Sequence, residues 1–192
     1  DQAQQQRIAR AQNQPQRLQD LADSLLELSQ LEASPMSGER PLLNLTQLVG
    51  KSGELYASRA EQADLDFELQ LPDRQIFIRG EEDQIERALA NVLDNSLKFT
   101  PAPGKILLSL AVEKETVVIH VHDSGIGIPP EDLPNLFTRF HRGRNTAAYG
   151  GSGLGLAIVQ EIMVRHDGRV AIHSDDGGTE VRLSFPIEST AR

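Results

Sequence analysis

Glu82-Asp83-Gln84-Ile85-Glu86-Arg87-Ala88-Leu89-Ala90-Asn91-Val92-Leu93-Asp94-Asn95-Ser96-Leu97-Lys98-Phe99 carries two patterns at once. Ile85, Ala88, Leu89 and Val92 recur at helical spacing, which predicts a helix over about 82–99 with these four turned to a core. Arg87, Asn91, Asn95 and Lys98 follow at steps of four, four and three and share a second stripe. Two carboxamides one turn apart, followed by a lysine, form a polar row able to meet a metal-bound phosphate chain. An Asn oxygen is a hard ligand suited to Mg²⁺, and Lys98 offers phosphate a point charge. A solvated helix face is the competing reading of this stripe on its own.

Upstream, residues 1 to about 33 read as a long helix rich in Gln, Ala, Arg and Leu. Leu18, Leu21, Leu25 and Leu28 step by three, four and three, a seam suited to packing against other helices in a bundle or coiled coil. An amphipathic helix folded onto its own domain is the alternative. Pro15 predicts a kink or a start. Ser34-Pro35-Met36-Ser37-Gly38 breaks the helix as a linker and places a domain boundary at 35/36. A helix over about 45–63 and short strands at 67–71 and 75–79 come next. Downstream, 105–112 and 116–122 alternate like a hairpin around Glu113-Lys114-Glu115. A helix over about 154–165 and strands at 169–174 and 179–186 close the chain. Helices and strands mix without a strict βαβ repeat, which predicts an α+β fold with helices on one face of a mixed, mainly antiparallel sheet.

Two further stretches carry chemistry. In Asp123-Ser124-Gly125-Ile126-Gly127-Ile128-Pro129, Asp123 continues the inward parity of Val117, Ile119 and Val121. A carboxylate ending an apolar row is costly unless something hydrogen-bonds to it. An adenine amino group is a suitable donor, and glycines let backbone approach the flat base. Gly150-Gly151-Ser152-Gly153-Leu154-Gly155 opens a helix, where free N–H groups and the positive dipole end can cradle phosphate. No Lys-Ser or Lys-Thr follows at Walker A spacing, and Leu156 stands where a dinucleotide-binding loop needs its third glycine. Ser152 is no nucleophile elbow, because Leu154 stands where glycine is required. Between the two stretches, Phe137 and Phe140 can anchor a segment while Arg139, Arg142 and Arg144 reach for phosphate. The run 143–151 has the composition of a mobile lid.

Composition narrows the classes. A net charge of −9 without a basic cluster argues against a nucleic-acid partner. The absence of cysteine excludes disulfides and thiolate zinc sites. No apolar run approaches the ~20 residues needed to span a bilayer.

Taken in order, these blocks resemble the N, G1, F and G2 boxes of the sensor histidine kinases, within the wider gyrase, heat-shock-90 and mismatch-repair ATPase superfamily. Asn91–Thr100 resembles the N box, Asp123–Pro129 G1, Leu136–Arg142 F and Gly151–Gly155 G2, with Gly177-Gly178-Thr179 similar to the closing glycine–threonine element. The resemblance implies a Bergerat-type two-layer α/β sandwich preceded by a long N-terminal helix, with ATP and Mg²⁺ held between sheet and lid. It implies that Asn95 is the Mg²⁺ ligand, that Asn91, Lys98 and Phe99 line the phosphate and base region, and that Asp123 holds the adenine amino group. Gly125, Gly127, Ile128, Gly151, Ser152, Gly153, Leu154, Gly155 and Thr179 complete the nucleotide-binding set, with His141 and Arg142 on the lid side. Thr138 departs from the acidic residue often found at its place.

Related ATPases carry a water-activating Glu where this sequence has Asn91. An amide cannot act as a general base, which favours phosphoryl transfer to a histidine over hydrolysis. Residues 1–35 resemble the second helix of the family's dimerisation hairpin. The acceptor histidine belongs on the first helix, in a His-Glu/Asp-x-x-x-Pro context that none of His120, His122, His141, His166 and His173 has. His120 and His122 share a strand face and read as plain strand residues rather than a metal pair. The acceptor is therefore expected outside this chain. The resemblance further implies a homodimer through the hairpin, a response-regulator receiver domain as partner, and a cytoplasmic domain of a protein anchored in a bacterial inner membrane. Two rivals share the fold: a serine kinase of the anti-sigma type, and a scaffolding module without kinase activity.

Overall fold

A computed structural model describes residues 18–19, 21–33, 40–146, 149–175 and 177–187. In chain order the elements are α1 (residues 21–33), β1 (Leu42–Asn44), α2 (Leu45–Glu61), β2 (Leu65–Gln70), β3 (Phe77–Arg79), α3 (Glu82–Phe99), β4 (Gly104–Glu113), β5 (Thr116–Asp123), α4 (Gly155–Arg165), β6 (Arg169–Asp175) and β7 (Gly178–Pro186). Five strands form one sheet in the order β2-β4-β5-β7-β6, with β2 parallel to β4 and every other pair antiparallel. The expected mixed, mainly antiparallel sheet and its helix layer are both present.

Alternation along the hairpin decides which face is buried. Ile106, Leu108 and Leu110 of β4, Val117, Ile119 and Val121 of β5, and Val181, Leu183 and Phe185 of β7 lie side by side in register and are buried. Against them pack Ile85, Leu89, Val92 and Leu93 of α3 and Ile158, Val159 and Ile162 of α4. Burying a side chain of this kind contributes about 1.5–3 kcal/mol each, so the two-layer arrangement follows from the patterning. Ile85, Ala88, Leu89 and Val92 are the residues whose spacing announced the core face.

Two features depart from expectation. β3 does not join the main sheet. It pairs with β1, an unforeseen three-residue strand, through Leu43↔Ile78, and three residues are too few for periodicity to register. The leucine seam of α1 also splits. Leu28 is 2% exposed and belongs to the core, with Leu21 and Leu31 packed beside it, whereas Leu18, Leu25 and Leu26 are exposed. Pro15, the linker 34–38 and the predicted helix before residue 18 lie outside the described residues. Among the described residues no helix is long and apolar enough to cross a membrane.

The ends of α3 and α4 are locked together by His166, which is 2% exposed. The Glu81 amide at the start of α3 donates to its Nε2 at 3.0 Å, so Nδ1 carries the proton and donates to the Ile162 carbonyl at 2.7 Å. Both nitrogens are used by the neutral ring, and burial pushes the pKa of His166 down. A folded-state pKa below the unfolded value of about 6.5 gives stability that is complete above that pH and lost as pH falls through the folded value. Urea unfolding at pH 7.5, 6.5 and 5.5 should therefore show a progressive loss below about pH 6.5, and His166→Gln should flatten that loss. An unchanged slope in the variant would refute the assignment.

Candidate functional site

The inward row of β5 ends on Asp123, 5% exposed and flanked in register by Ile106 and Thr179. Its Oδ2 accepts from the Ser96 hydroxyl at 2.9 Å and its Oδ1 from the Gly125 amide at 3.0 Å. Burial nevertheless raises its pKa, with those two hydrogen bonds pulling the other way. Gly178, at φ +127°, makes this packing possible, because a Cβ there would stand 1.8 Å from the Asp123 carbonyl oxygen.

Asp123 opens onto a cavity of about 260 Å³. Along one wall run Asn91, Asn95, Ser96, Lys98 and Phe99 of α3. Gly127 and Ile128 of the loop after β5 form another side, Gly151, Ser152, Gly153 and Gly155 the start of α4, and His141 and Arg142 the lid, with Thr179 beneath. The stripe, the strand-end carboxylate and the glycine-led helix start thus converge on a single cleft, as the motif reading required. Two expected members stand behind the wall instead of in it. Leu154 is fully buried in the core, and Gly125 serves by presenting its amide to Asp123.

The stripe is held from behind. The Tyr56 hydroxyl donates to Asp94 Oδ1 at 2.9 Å with the Ala90 carbonyl 3.2 Å away, while Arg59 pairs with Asp94 at 2.8 Å. Burial, then the Asp94 carboxylate, push the Tyr56 pKa up to about 12. These bonds brace α2 against the turns bearing Asn91 and Asn95. Gly155 lets the start of α4 close on the same helix, since a Cβ there would stand 3.2 Å from Asn91 Oδ1.

Electrostatics mark the opposite end of the cleft. Burial and then repulsion from Arg142 lower the Lys98 pKa. An anion between these two cations would relieve the repulsion and offset the desolvation. No Leu154 side chain caps α4, and Ser152 Oγ only accepts from the Leu154 amide at 3.3 Å, so the first N–H groups of α4 remain directed toward the glycine loop. An acidic end at Asp123 and a cationic end at Lys98 and Arg142 suit a nucleoside whose base donates and whose tail is anionic. Among the described residues no cluster of three His or acidic side chains could hold a metal ion. Mg²⁺ prefers few protein ligands alongside waters and phosphate oxygens, so one carboxamide oxygen from Asn95 fits it.

Several lid expectations need correction. Phe140 does not anchor: it is 54% exposed, at φ +62°. Arg139 is paired with Glu32 of α1, and Arg144 points outward, 3.9 Å from Asp132. Arg142 bonds the carbonyls of Thr146 and Tyr149 within the lid. The lid is tied down by residues the motif reading passed over. Asp132, 3% exposed, accepts from the Arg144 amide at 2.8 Å, and Asn145 donates to the Gly127 carbonyl at 2.9 Å. Ser174 accepts from the Ile128 amide at 2.8 Å and holds Gly178 by its hydroxyl. The bonds of Asp132, of Asn145 and of Ser174 to Ile128 join separate segments and leave no local pattern. Ser96 could have been found: it stands one turn before Thr100 on the same helix as the stripe. His120 meets Glu113 at 3.0 Å and Glu180 at 3.2 Å on the outer face of the sheet, remote from the cleft.

Residues 80–189, more than half of the chain, match the family described as histidine kinase-, DNA gyrase B- and HSP90-like ATPase. This chain belongs to that ATPase family. The match covers α3, β4, β5, the cleft loops, the lid, α4 and the last two strands. Among curated relatives, sensor histidine kinase WalK of Bacillus subtilis is 33% identical over 182 residues, 92% of this chain and 30% of the relative. Signal transduction histidine-protein kinase BaeS of Escherichia coli is 33% identical over 174 residues, 89% of this chain and 37% of the relative. The chain therefore spans about a third of the length of these proteins. Among solved structures, the Acinetobacter baumannii histidine kinase AdeS superposes with a TM-score of 0.73 at 25% identity, covering 95% of this chain and 84% of its own. Full-length ShkA, solved with AMPPNP, gives 0.75 at 26% identity, covering 91% and 37%.

Asp123→Asn separates binding from stability in this ATP-binding domain. A carboxyl whose folded-state pKa is raised contributes stability below its unfolded value near 3.9 and loses it as pH rises through the folded value, so ionised Asp123 is a cost at pH 7. The variant should unfold at higher urea than the parent at pH 7, with the gap closing near pH 4. Its adenine-nucleotide affinity should fall about ten-fold, the worth of one charge-assisted hydrogen bond. Lower stability at pH 7 would contradict the argument.

Proposed function

We propose that this chain is the catalytic part of a sensor histidine kinase, binding Mg-ATP and passing the γ-phosphoryl group to a histidine outside the described site. The observation that carries the reading is the convergence of Asn91, Asn95, Asp123 and the glycine loop on one cleft, with an amide at Asn91 in place of a carboxylate base. Asp123 accepts from the adenine amino group, Phe99 flanks the base, and Asn95 holds the Mg²⁺. Lys98 and Arg142 take the phosphates, and the amides of the glycine loop fix them. With Asn91 unable to deprotonate water, hydrolysis is slow, and the positioned nucleotide awaits an imidazole nitrogen in line with the γ-phosphorus. As the new N–P bond forms, the γ-phosphorus bond to the bridging oxygen breaks and ADP departs with that electron pair.

Residues 1–35 serve as the second helix of a dimerisation hairpin and residues 36–192 as the catalytic domain. The parent is a homodimer that hands its phosphoryl group to a response-regulator receiver domain, with this domain on the cytoplasmic side of an inner membrane. The names and lengths of the curated relatives support this reading.

Calorimetry with a non-hydrolysable ATP analogue should give saturable heat that is larger with Mg²⁺ than with EDTA. In Asn95→Ala the affinity difference between Mg²⁺ and EDTA should vanish. No binding in either buffer would refute the reading. Incubated alone with labelled ATP, the chain should acquire no acid-labile phosphate, because none of its five histidines has the acceptor context. Label on any of them would contradict the expectation.

A further inference from the structure

Helix α1 lies outside the segment that matches the ATPase family, yet it reaches the nucleotide cleft. Ser24, Glu27, Leu28 and Leu31 recur at helical spacing and form one face. Leu28 is buried in the core, the Arg165 guanidinium donates to the Leu31 carbonyl at 2.5 Å, and Ser24 stands in the cavity wall. Glu27 takes a two-pronged grip on Arg87, with Arg87 Nε at 2.9 and 3.2 Å from its two oxygens and Nη2 at 2.9 Å. Glu32 pairs with Arg139 of the lid segment. Two carboxylates of one helix thus hold an arginine of α3 and an arginine of the lid segment.

Arg87 belongs to the same stripe as Asn91 and Asn95. Asp123 with Ser96 fixes the base end, and the stripe leads away from it through Asn95 and Asn91 to Arg87, each step about 6 Å. The amide of Asn91 donates to the Arg87 carbonyl at 3.1 Å, and Arg87 stands one helical turn beyond the cavity wall, of which Asn91 is the last stripe residue. A third phosphate added to a tail lying along Asn95 and Asn91 would extend toward Arg87, the next residue of the stripe. That guanidinium is a planar fork suited to phosphate, and Glu27 presents it with a carboxylate in the geometry an anion would use.

Resting on the nucleotide-binding reading above, we propose that Arg87 reads the terminal phosphate of a nucleoside triphosphate and that Glu27 of α1 competes for it as an internal anion. The terminal phosphate and the docked helix oppose each other, through competition for one cation and through like-charge repulsion. A diphosphate leaves the grip intact. By linkage, a triphosphate loosens α1 by the same factor by which docked α1 weakens the triphosphate. The pair is partly exposed, 45% for Arg87 and 29% for Glu27, so the coupling is modest, a factor of about two to five.

The test uses the 192-residue chain with ADP and with a non-hydrolysable ATP analogue. Glu27→Gln should tighten the analogue about two- to five-fold and leave ADP unchanged. Arg87→Gln should weaken the analogue about ten-fold, again without moving ADP, and should do so in the Glu27→Gln background as well. Amide exchange in residues 21–33 should speed up with the analogue and not with ADP. Binding of both nucleotides with equal shifts in Glu27→Gln, or with none, would overturn the proposal and leave the function standing. Binding of neither nucleotide to the unaltered chain would overturn both.

Discussion

A carboxylate buried at the end of an apolar strand row is the constraint around which this molecule is arranged. Asp123 gives up most of its hydration, and the Ser96 hydroxyl and the Gly125 amide return part of it. Each partner enforces a piece of the architecture. Ser96 requires α3 to lie across β5 at that level, Gly125 requires the chain to turn sharply after β5, and Gly178 requires β7 to start without a side chain. The patterned core residues set the two layers, and these contacts fix how the layers meet at the cleft. A domain selected for stability alone would have ended the row on another apolar residue.

At the other end of the cleft the imbalance has the opposite sign. Lys98 is desolvated and pushed by Arg142, just as Asp123 is desolvated without a full complement of donors. The two strains are complementary, since a purine nucleotide carries donors at its base and charge at its tail. The domain therefore holds stability in reserve that a ligand releases on binding. This is the usual trade between a functional site and a settled interior.

Helix α1 adds a third party to that balance. Its apolar side is satisfied by Leu28 in the core, but its carboxylates engage Arg87 of α3 and Arg139 of the lid segment. An element outside the ATPase-family segment is thereby coupled electrostatically to the site. Leu18, Leu25 and Leu26 are exposed.

Local pattern alone was enough to place the helix over 82–99, the hairpin after Gly104, the strand parity that puts Asp123 inward and the glycine-led start of α4, because helix and strand periods act over a few neighbouring residues. The order of the four boxes carried the family. Tertiary structure decided the rest: that Gly125 and Leu154 back the site without lining it, that Asp132, Asn145 and Ser174 pin the lid, that β1 exists, and that Glu27 and Glu32 meet Arg87 and Arg139. Those contacts join positions up to 107 residues apart. A bond between such positions leaves no periodic trace in the chain, and it exists only because packing elsewhere brings the partners together.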